Sequence, residues 1–383
     1  MAFDNLRNTQ GNIAESLESA LEGGFLPQSI LFSGSRGTSR LTAALDLAYT
    51  LLGHEEDREL LKNANIVFLP CRNLYSEIQA AINLYGQSKN RASRLYLIET
   101  VRKALMQYPS MLASAYDKKT QGYFNQAEEV ATLLYDYEAE REYSDSEINT
   151  LLKCIQKNMT QAFLNKGRRS SGVTIDEIRA IQDWFSSSSD VKIAIIENLE
   201  ESTEGAKNSL LKILEEPNEN GYLILLSSNP QRLLPTILSR VRKYSFPQLT
   251  EEKISRFIKD KFRLYEDYNS FEAFFFQLGA DEGARKELDL NVSIYTDALL
   301  NGCNIDSDSL ERILSSLDRM GAYRYFIQRV AGNVAFAMRK KEIMPIKARS
   351  IIEIINRWLL LSETYNLSSR AAIDSILREV ENV

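Results

Sequence analysis

The chain has 383 residues, 44% apolar and 26% charged, with a formal net charge of −6. Two or three domains are expected at that length, and the acidic balance excludes a protein that grips nucleic acid by bulk charge alone, leaving only a local basic patch open. Cys71, Cys154 and Cys303 lie too far apart for a disulfide framework or a Cys-x-x-Cys zinc pattern, and His54, the single histidine, would have to serve any Ser-His or Cys-His centre.

The first residues, MAFDNLRNTQ, carry acid early and no apolar signal core, and no stretch approaches the apolar length of a membrane span. A cytoplasmic protein without membrane contact is expected. Residues 30 to 53 read as a short strand (Ile30, Leu31, Phe32), a Gly-rich turn and a helix with Ala43, Ala44, Leu47, Ala48 and Leu51 on one face. Strand, turn and helix are the setting of a phosphate loop, G-x-x-x-x-G-K-[ST], in which backbone N–H groups enclose phosphates, a Lys reaches their oxygens and a hydroxyl holds Mg²⁺. In FSGSRGTSRL, Phe32 to Leu41, Gly34 and Gly37 are in place, followed by Thr38; Ser39 stands at the second motif Gly, Arg40 at the Lys and Leu41 at the hydroxyl. Taken alone, such a Gly/Ser stretch reads better as an ordinary turn. His54 follows a Leu-Leu-Gly helix end, where a capping or solvated role is expected.

A second buried strand is expected at Ile66 to Leu69, ended by Pro70. From about 76 to 166 the periodicity is helical, including a capping box at Ser144 and Glu147. Strands return after the linker GRRSSG, Gly167 to Gly172. Thr174 and Glu177 form a second capping box, VKIAIIEN a buried strand, Ser202 or Thr203 the cap of a helix that Pro217 ends, and YLILLSSN another buried strand. The alternation predicts an α/β layer with a mainly parallel sheet. Beyond Pro247 the pattern is helical, with a boundary expected at NGCNIDSDS, Asn301 to Ser309.

Three downstream segments give the glycine loop a context. Glu197 and Asn198 end a strand where a nucleoside triphosphatase carries Asp-Glu; the carboxylate could meet a cation, but an amide cannot act as general base. Ser228 stands at the carboxyl end of the next strand, the edge where open α/β sheets bind ligands. Ser239 and Arg240 precede the basic pair Arg242, Lys243. Together LPQSILFSGSRGTSRLTAALDLAYTLLG, VTIDEIRAI, AKNSLLKILEEP and NPQRLLPTILSRVRKYSF resemble the AAA+ module of clamp-loader subunits of bacterial DNA polymerase III, the delta-prime type first and the gamma/tau type next.

That resemblance implies a ring of five subunits that uses ATP to open a sliding clamp and close it round primed DNA. It implies an AAA+ domain over 1–247 with the helical insertion inside it, a helical lid over 248–306 and a helical collar over 307–383. It implies gamma/tau and delta subunits as partners, with the clamp and primer-template DNA engaged through the complex. Arg240 matches the family's arginine finger, which acts on the neighbouring subunit's ATP, with Val241 replacing the motif's Cys. Ser228 falls at the nucleotide-sensing position of its strand, and Arg285 at a candidate lid arginine. The substitutions at Ser39, Arg40, Leu41 and Asn198 argue independently for a noncatalytic subunit with weak or absent ATP or ADP binding and no required cofactor. Family members usually carry a four-Cys zinc module after the loop helix; this chain lacks those cysteines, so no zinc is expected. Arg242, Lys243, Arg168 and Arg169 read as a solvated face or as phosphate-backbone contacts. Two alternatives stand beside this reading: an ATP-hydrolysing gamma/tau-type subunit, and an AAA+-derived helical adaptor.

Overall fold

A computed structural model describes every residue except 1–2, 59–60, 62, 71–73, 116–117, 165–171, 188, 263–267, 269, 303–304, 366–367 and 382–383. Arg168, Arg169, Cys71, Cys303, most of the GRRSSG linker and part of NGCNIDSDS lie outside the described residues. The chain forms two compact units, Met1–Asn269 and Ser270–Val383.

The first unit is built on five strands, β1 (Ser29–Ser33), β2 (Ile66–Leu69), β3 (Lys192–Glu197), β4 (Gly221–Ser227) and β5 (Arg242–Ser245), in the order β2-β3-β4-β1-β5, all parallel. β1 to β4 are apolar runs because both sheet faces are covered, and alternate residues serve different layers. Ile30, Phe32, Ile193, Ile195, Ile224 and Leu226 pack with the helices Asp4–Glu22 and Arg40–Leu52. Leu31, Ala194, Ile196, Leu223 and Leu225 pack with Ile175–Phe185 and Glu204–Glu215. β5 was not legible as a strand: it lies at the sheet edge, and of its four residues only Tyr244 is buried. The helix Asp4–Glu22 was missed as well. Its apolar face is interrupted at Gln10, whose backbone leaves the helical region (φ −136°, ψ 56°).

Both expected capping boxes form, at Ser144–Glu147 and at Thr174–Glu177, and Thr203, not Ser202, caps the helix Glu204–Glu215. Ser202 instead accepts from the Val173 N–H at 2.9 Å. Gly172 (φ +61°) makes that approach possible, because a Cβ there would come within 2.5 Å of the Ser202 hydroxyl.

The expected insertion is helical at Tyr75–Ser88, Arg91–Leu105, Lys118–Tyr135, Asp145–Asn158 and Gln161–Leu164. It is tied to the rest of the unit by a charge cluster around Glu99. The Glu99 carboxylate lies 3.5 Å from Arg58, 3.6 Å from Lys103 and 3.4 Å from Lys261. Arg58 also pairs with Asp46 at 2.7 Å and Lys103 with Glu77 at 3.1 Å. Lys261 belongs to the helix Glu251–Phe262, and Phe262 packs edge-on against Tyr96, with ring centroids 4.7 Å apart. The insertion thus braces the helix that follows the sheet. Burial alone would push the Glu99 carboxyl up; Lys261, Lys103 and Arg58 outweigh it and hold the group well below the usual carboxylate range.

The second unit is all-helical: Phe271–Gly279, Glu282–Asn301, Ser307–Met320, Tyr323–Arg339, Pro345–Tyr365 and Ser369–Val380. Its core centres on Tyr295, Phe326, Val330, Ile351 and Ile373. Two buried polar contacts fix its packing, Tyr295 Oη to the Ile373 carbonyl (2.8 Å) and Asn291 Nδ2 to Ser316 Oγ (2.7 Å). Arg285 is exposed on Glu282–Asn301, its Nε donating to the Ala280 carbonyl at 3.1 Å.

Candidate nucleotide site and arginine finger

β4 lies between β1 and β3, so the turn after β1, Ser228 after β4 and Glu197-Asn198 at the end of β3 share the carboxyl edge of the sheet. The residues from Gly34 to Leu41, Glu197, Asn198 and Ser228 are therefore brought together.

The turn is held closely. The Gly34 N–H donates to the Ser227 carbonyl at 3.1 Å, and the Phe246 N–H donates to the Ser33 carbonyl at 2.7 Å. A Cβ on Gly34 would lie 2.5 Å from the Phe246 carbonyl oxygen, a backbone atom that cannot swing aside. Gly34→Ala is accordingly expected to destabilise the first unit by about 2–3 kcal/mol, read as a lower denaturant midpoint; an unchanged midpoint would show that the ends of β1 and β5 separate freely. Thr38 is buried, its hydroxyl donating to the Ser35 carbonyl at 2.8 Å. Gln10 Nε2 straps the turn by donating to the carbonyls of Thr38 (3.2 Å) and Pro247 (2.7 Å), which accounts for the break in its helix.

Gly37 and Ser39 both have positive φ, +75° and +66°. Ser39 thus keeps the left-handed backbone that suits glycine, at a cost of about 1 kcal/mol. Arg40 is buried, and Leu41 belongs to the apolar core beneath the helix Arg40–Leu52. A hydrocarbon in that position ligates no metal.

At the end of β3, Glu197 is buried and Asn198 adopts φ 51°, its N–H donating to the Leu226 carbonyl at 2.7 Å. Asparagine tolerates that conformation better than most residues, which gives Asn198 a backbone reason for its place. Sequence reasoning missed Glu200. Its buried carboxylate accepts from Ser228 N–H (2.9 Å), Ser228 Oγ (3.2 Å) and Asn229 N–H (3.1 Å), tying the turn after β3 to the loop after β4. The Ser228 hydroxyl is therefore engaged by the chain's own carboxylate. The acidic run Glu200-Glu201 was visible, but only the strand order places it beside Ser228.

Arg240 is not part of this assembly. It precedes β5, whose first residue, Arg242, pairs with Ile30 near the amino end of β1. The paired length of β1 and β5, about 10 Å, lies between the start of β5 and the end of β1 from which the glycine turn leaves. Its guanidinium is exposed, 2.9 Å from Glu215 and 2.8 Å from the Thr236 carbonyl. Arg242 and Lys243 are exposed beside it, Arg242 lying over the rings of Phe25 and Tyr244. Among the described residues the potential metal donors that cluster are His54, Glu56 and Asp57, on an exposed turn. There the His54 N–H closes the preceding helix on the Tyr49 carbonyl, in keeping with the capping role expected of it.

Sheet order, glycine turn and polar strand ends define an α/β module with a parallel sheet, a glycine-containing turn at its carboxyl edge and helices after it. Residues 110–250 match the family model described as DNA polymerase III, delta subunit. Similar chains include the delta-prime subunit of DNA polymerase III from Bacillus subtilis, 42% identical over 20% of this chain and 25% of that one. The tau subunit from the same organism is 37% identical over 21% of this chain and 15% of its own. The matched stretches thus span a quarter or less of these relatives. A solved structure of a DNA polymerase III gamma subunit-related protein from Thermotoga maritima is 21% identical, with a TM-score of 0.28, covering 55% of this chain and 80% of that one. The family match and the delta-prime relatives thus make this chain similar, over part of its length, to delta-type subunits of bacterial DNA polymerase III.

Proposed function

We propose that this chain is a noncatalytic subunit of the DNA polymerase III clamp loader, which helps place the sliding clamp on primed DNA and lends Arg240 to a neighbour's ATP. Its partners are the gamma/tau and delta subunits, with the clamp and primer-template DNA reached through the complex, in the cytoplasm. The AAA+ domain spans 1–247, the lid 248–306 and the collar 307–383. Among the described residues no helix is long and apolar enough to cross a membrane.

The observation that carries the reading is the division of chemistry between two edges of one sheet. At the carboxyl edge, Leu41 is buried in the core, Asn198 offers an amide and Ser39 carries a side chain on a left-handed backbone. At the amino edge Arg240 is exposed, apart from those groups. ATP and ADP bind weakly or not at all, and neither nucleotide nor zinc is required. The likeness to the tau subunit favours a second reading, an active gamma/tau-type ATPase. Glu200, the further carboxylate at that edge, is turned toward its own chain, its Oε1 accepting from Ser228 and Asn229.

Restoring the lysine separates the two readings. Arg40→Lys alone is expected to give no Mg-ATP turnover, because metal and water chemistry are still missing at Leu41 and Asn198; measurable phosphate release by this single variant would favour the second reading. Affinity purification of the native chain, followed by mass measurement of the assembly, is expected to recover clamp-loader subunits. Recovery of a homo-oligomer alone would oppose the reading.

A further inference from the structure

In the second unit, seven of the cations are paired: Lys286 with Glu282, Arg319 with Glu287, Arg324 with Glu272, Arg329 with Asp289, Arg357 with Glu379, Arg370 with Glu311 and Arg378 with Asp374. The turn joining Tyr323–Arg339 to Pro345–Tyr365 is different. Arg339, Lys340, Lys341, Lys347 and Arg349 share the short segment RKKEIMPIKAR with a single acid, Glu342, in a chain of net charge −6. None of the five makes an ion pair among the described residues. Among them stand Phe336, Met344 and Ile346, exposed by 51%, 72% and 76%, with the Lys340 ammonium 4.6 Å from the Phe336 ring centroid.

Helix stability does not account for these charges. Three lie at the carboxyl end of a helix, where cations are favoured, but Lys347 sits in the first turn of Pro345–Tyr365, the positive end of that helix's dipole. Lys341 is costlier still. The Glu342 N–H bonds to the Ala337 carbonyl (3.0 Å) and the Lys341 N–H to the Met338 carbonyl (3.1 Å), closing the helix with Lys341 in the left-handed conformation, φ +62°. Glycine is the usual occupant of that position, and a side chain there costs about 1 kcal/mol. A side chain is kept where the backbone would prefer none.

We infer that this turn binds a single strand of nucleic acid, its unpaired cations following the phosphates and the exposed Phe336 ring offering a stacking surface to a base. A membrane surface fits less well. An interfacial helix needs a continuous apolar face, and the apolar faces of both flanking helices are in the core through Val330, Val334, Ala348 and Ile351. The inference concerns residues to which the clamp-loader reading gives no individual role within the proposed collar, and its test needs no partner subunit.

Binding of fluorescent oligodeoxythymidylate, oligouridylate and a duplex to the full chain is measured by anisotropy at low and raised salt. A single strand is expected to bind more tightly than duplex, and to weaken steeply with salt; the tighter single-stranded arm identifies the sugar. Lys341→Gly is expected to weaken binding about fivefold while raising thermal stability or leaving it unchanged, a combination that a purely structural lysine would not give. Phe336→Ala is expected to weaken binding about tenfold, and the Lys341→Glu, Lys347→Glu, Arg349→Glu variant to abolish it with the circular dichroism spectrum retained. No binding at low salt, binding unaffected by these variants, or equal capture of duplex, of anionic phospholipid vesicles or of polyglutamate would overturn the inference.

Discussion

Arg240→Ala, placed in a reconstituted clamp loader, is expected to lower DNA-stimulated ATP hydrolysis at the neighbouring site by about 10³-fold while leaving assembly intact. The expectation rests on charge: an arginine finger neutralises the oxygens of the transferring phosphoryl group, an effect worth on the order of 10³ to 10⁵ in rate in comparable hydrolases. Little of the fold depends on the side chain, since its partners are an exposed carboxylate, Glu215, and one carbonyl, Thr236. Arg240→Lys is expected to recover only part of the rate, because an ammonium keeps the charge but loses the planar fork. Because Glu215 holds the guanidinium in the isolated chain, Glu215→Ala is expected to leave the rate within a few-fold of the parent. Unchanged hydrolysis with Arg240→Ala would leave that residue without the proposed role and favour an adaptor.

Glu99→Gln is expected to cause the largest loss of stability, about 3 kcal/mol, the scale seen when one partner of a buried charge cluster is removed. Three cations converge on Glu99; in the variant Arg58 and Lys103 keep Asp46 and Glu77, whereas Lys261 loses its carboxylate partner among the described residues. The pH dependence has a definite sign. With the folded-state carboxyl held below its unfolded value of about 4.3, the contribution is complete above that pH and is lost as pH falls toward the folded value. The stability difference between parent and Glu99→Gln should therefore be greatest near neutrality and shrink below about pH 4, as followed by urea denaturation across that range. A difference that grew on acidification would contradict the assignment of Glu99 as an ionised hub.

How much was legible depended on how local the signal was. β1 to β4 could be read because strands covered on both faces are uninterrupted apolar runs, and the capped helices because Ser144–Glu147 and Thr174–Glu177 lie within one turn. β5 could not be read, since an edge strand with one buried residue has almost no pattern. The helix Asp4–Glu22 could not either, because Gln10 leaves the helical path to strap the glycine turn to Pro247. The substitutions at Ser39, Leu41 and Asn198 were visible from spacing, but their physical setting was not: a left-handed serine, a leucine in the core and an asparagine serving a backbone turn. Glu200 and Glu99 were invisible for a shared reason. Their partners, Ser228 and Lys261, are distant in the chain and are brought close only by sheet order and helix packing. Topology also sets Arg240 apart from the glycine turn, which the sequence alone does not show.

The central claim is that this chain supplies a residue for ATP hydrolysis without performing it. Titration calorimetry of the isolated 383-residue chain with Mg-ATP, followed by phosphate release from the same sample, tests that claim most directly: weak or no heat of binding and no phosphate release are predicted, whereas tight binding accompanied by sustained release would contradict it.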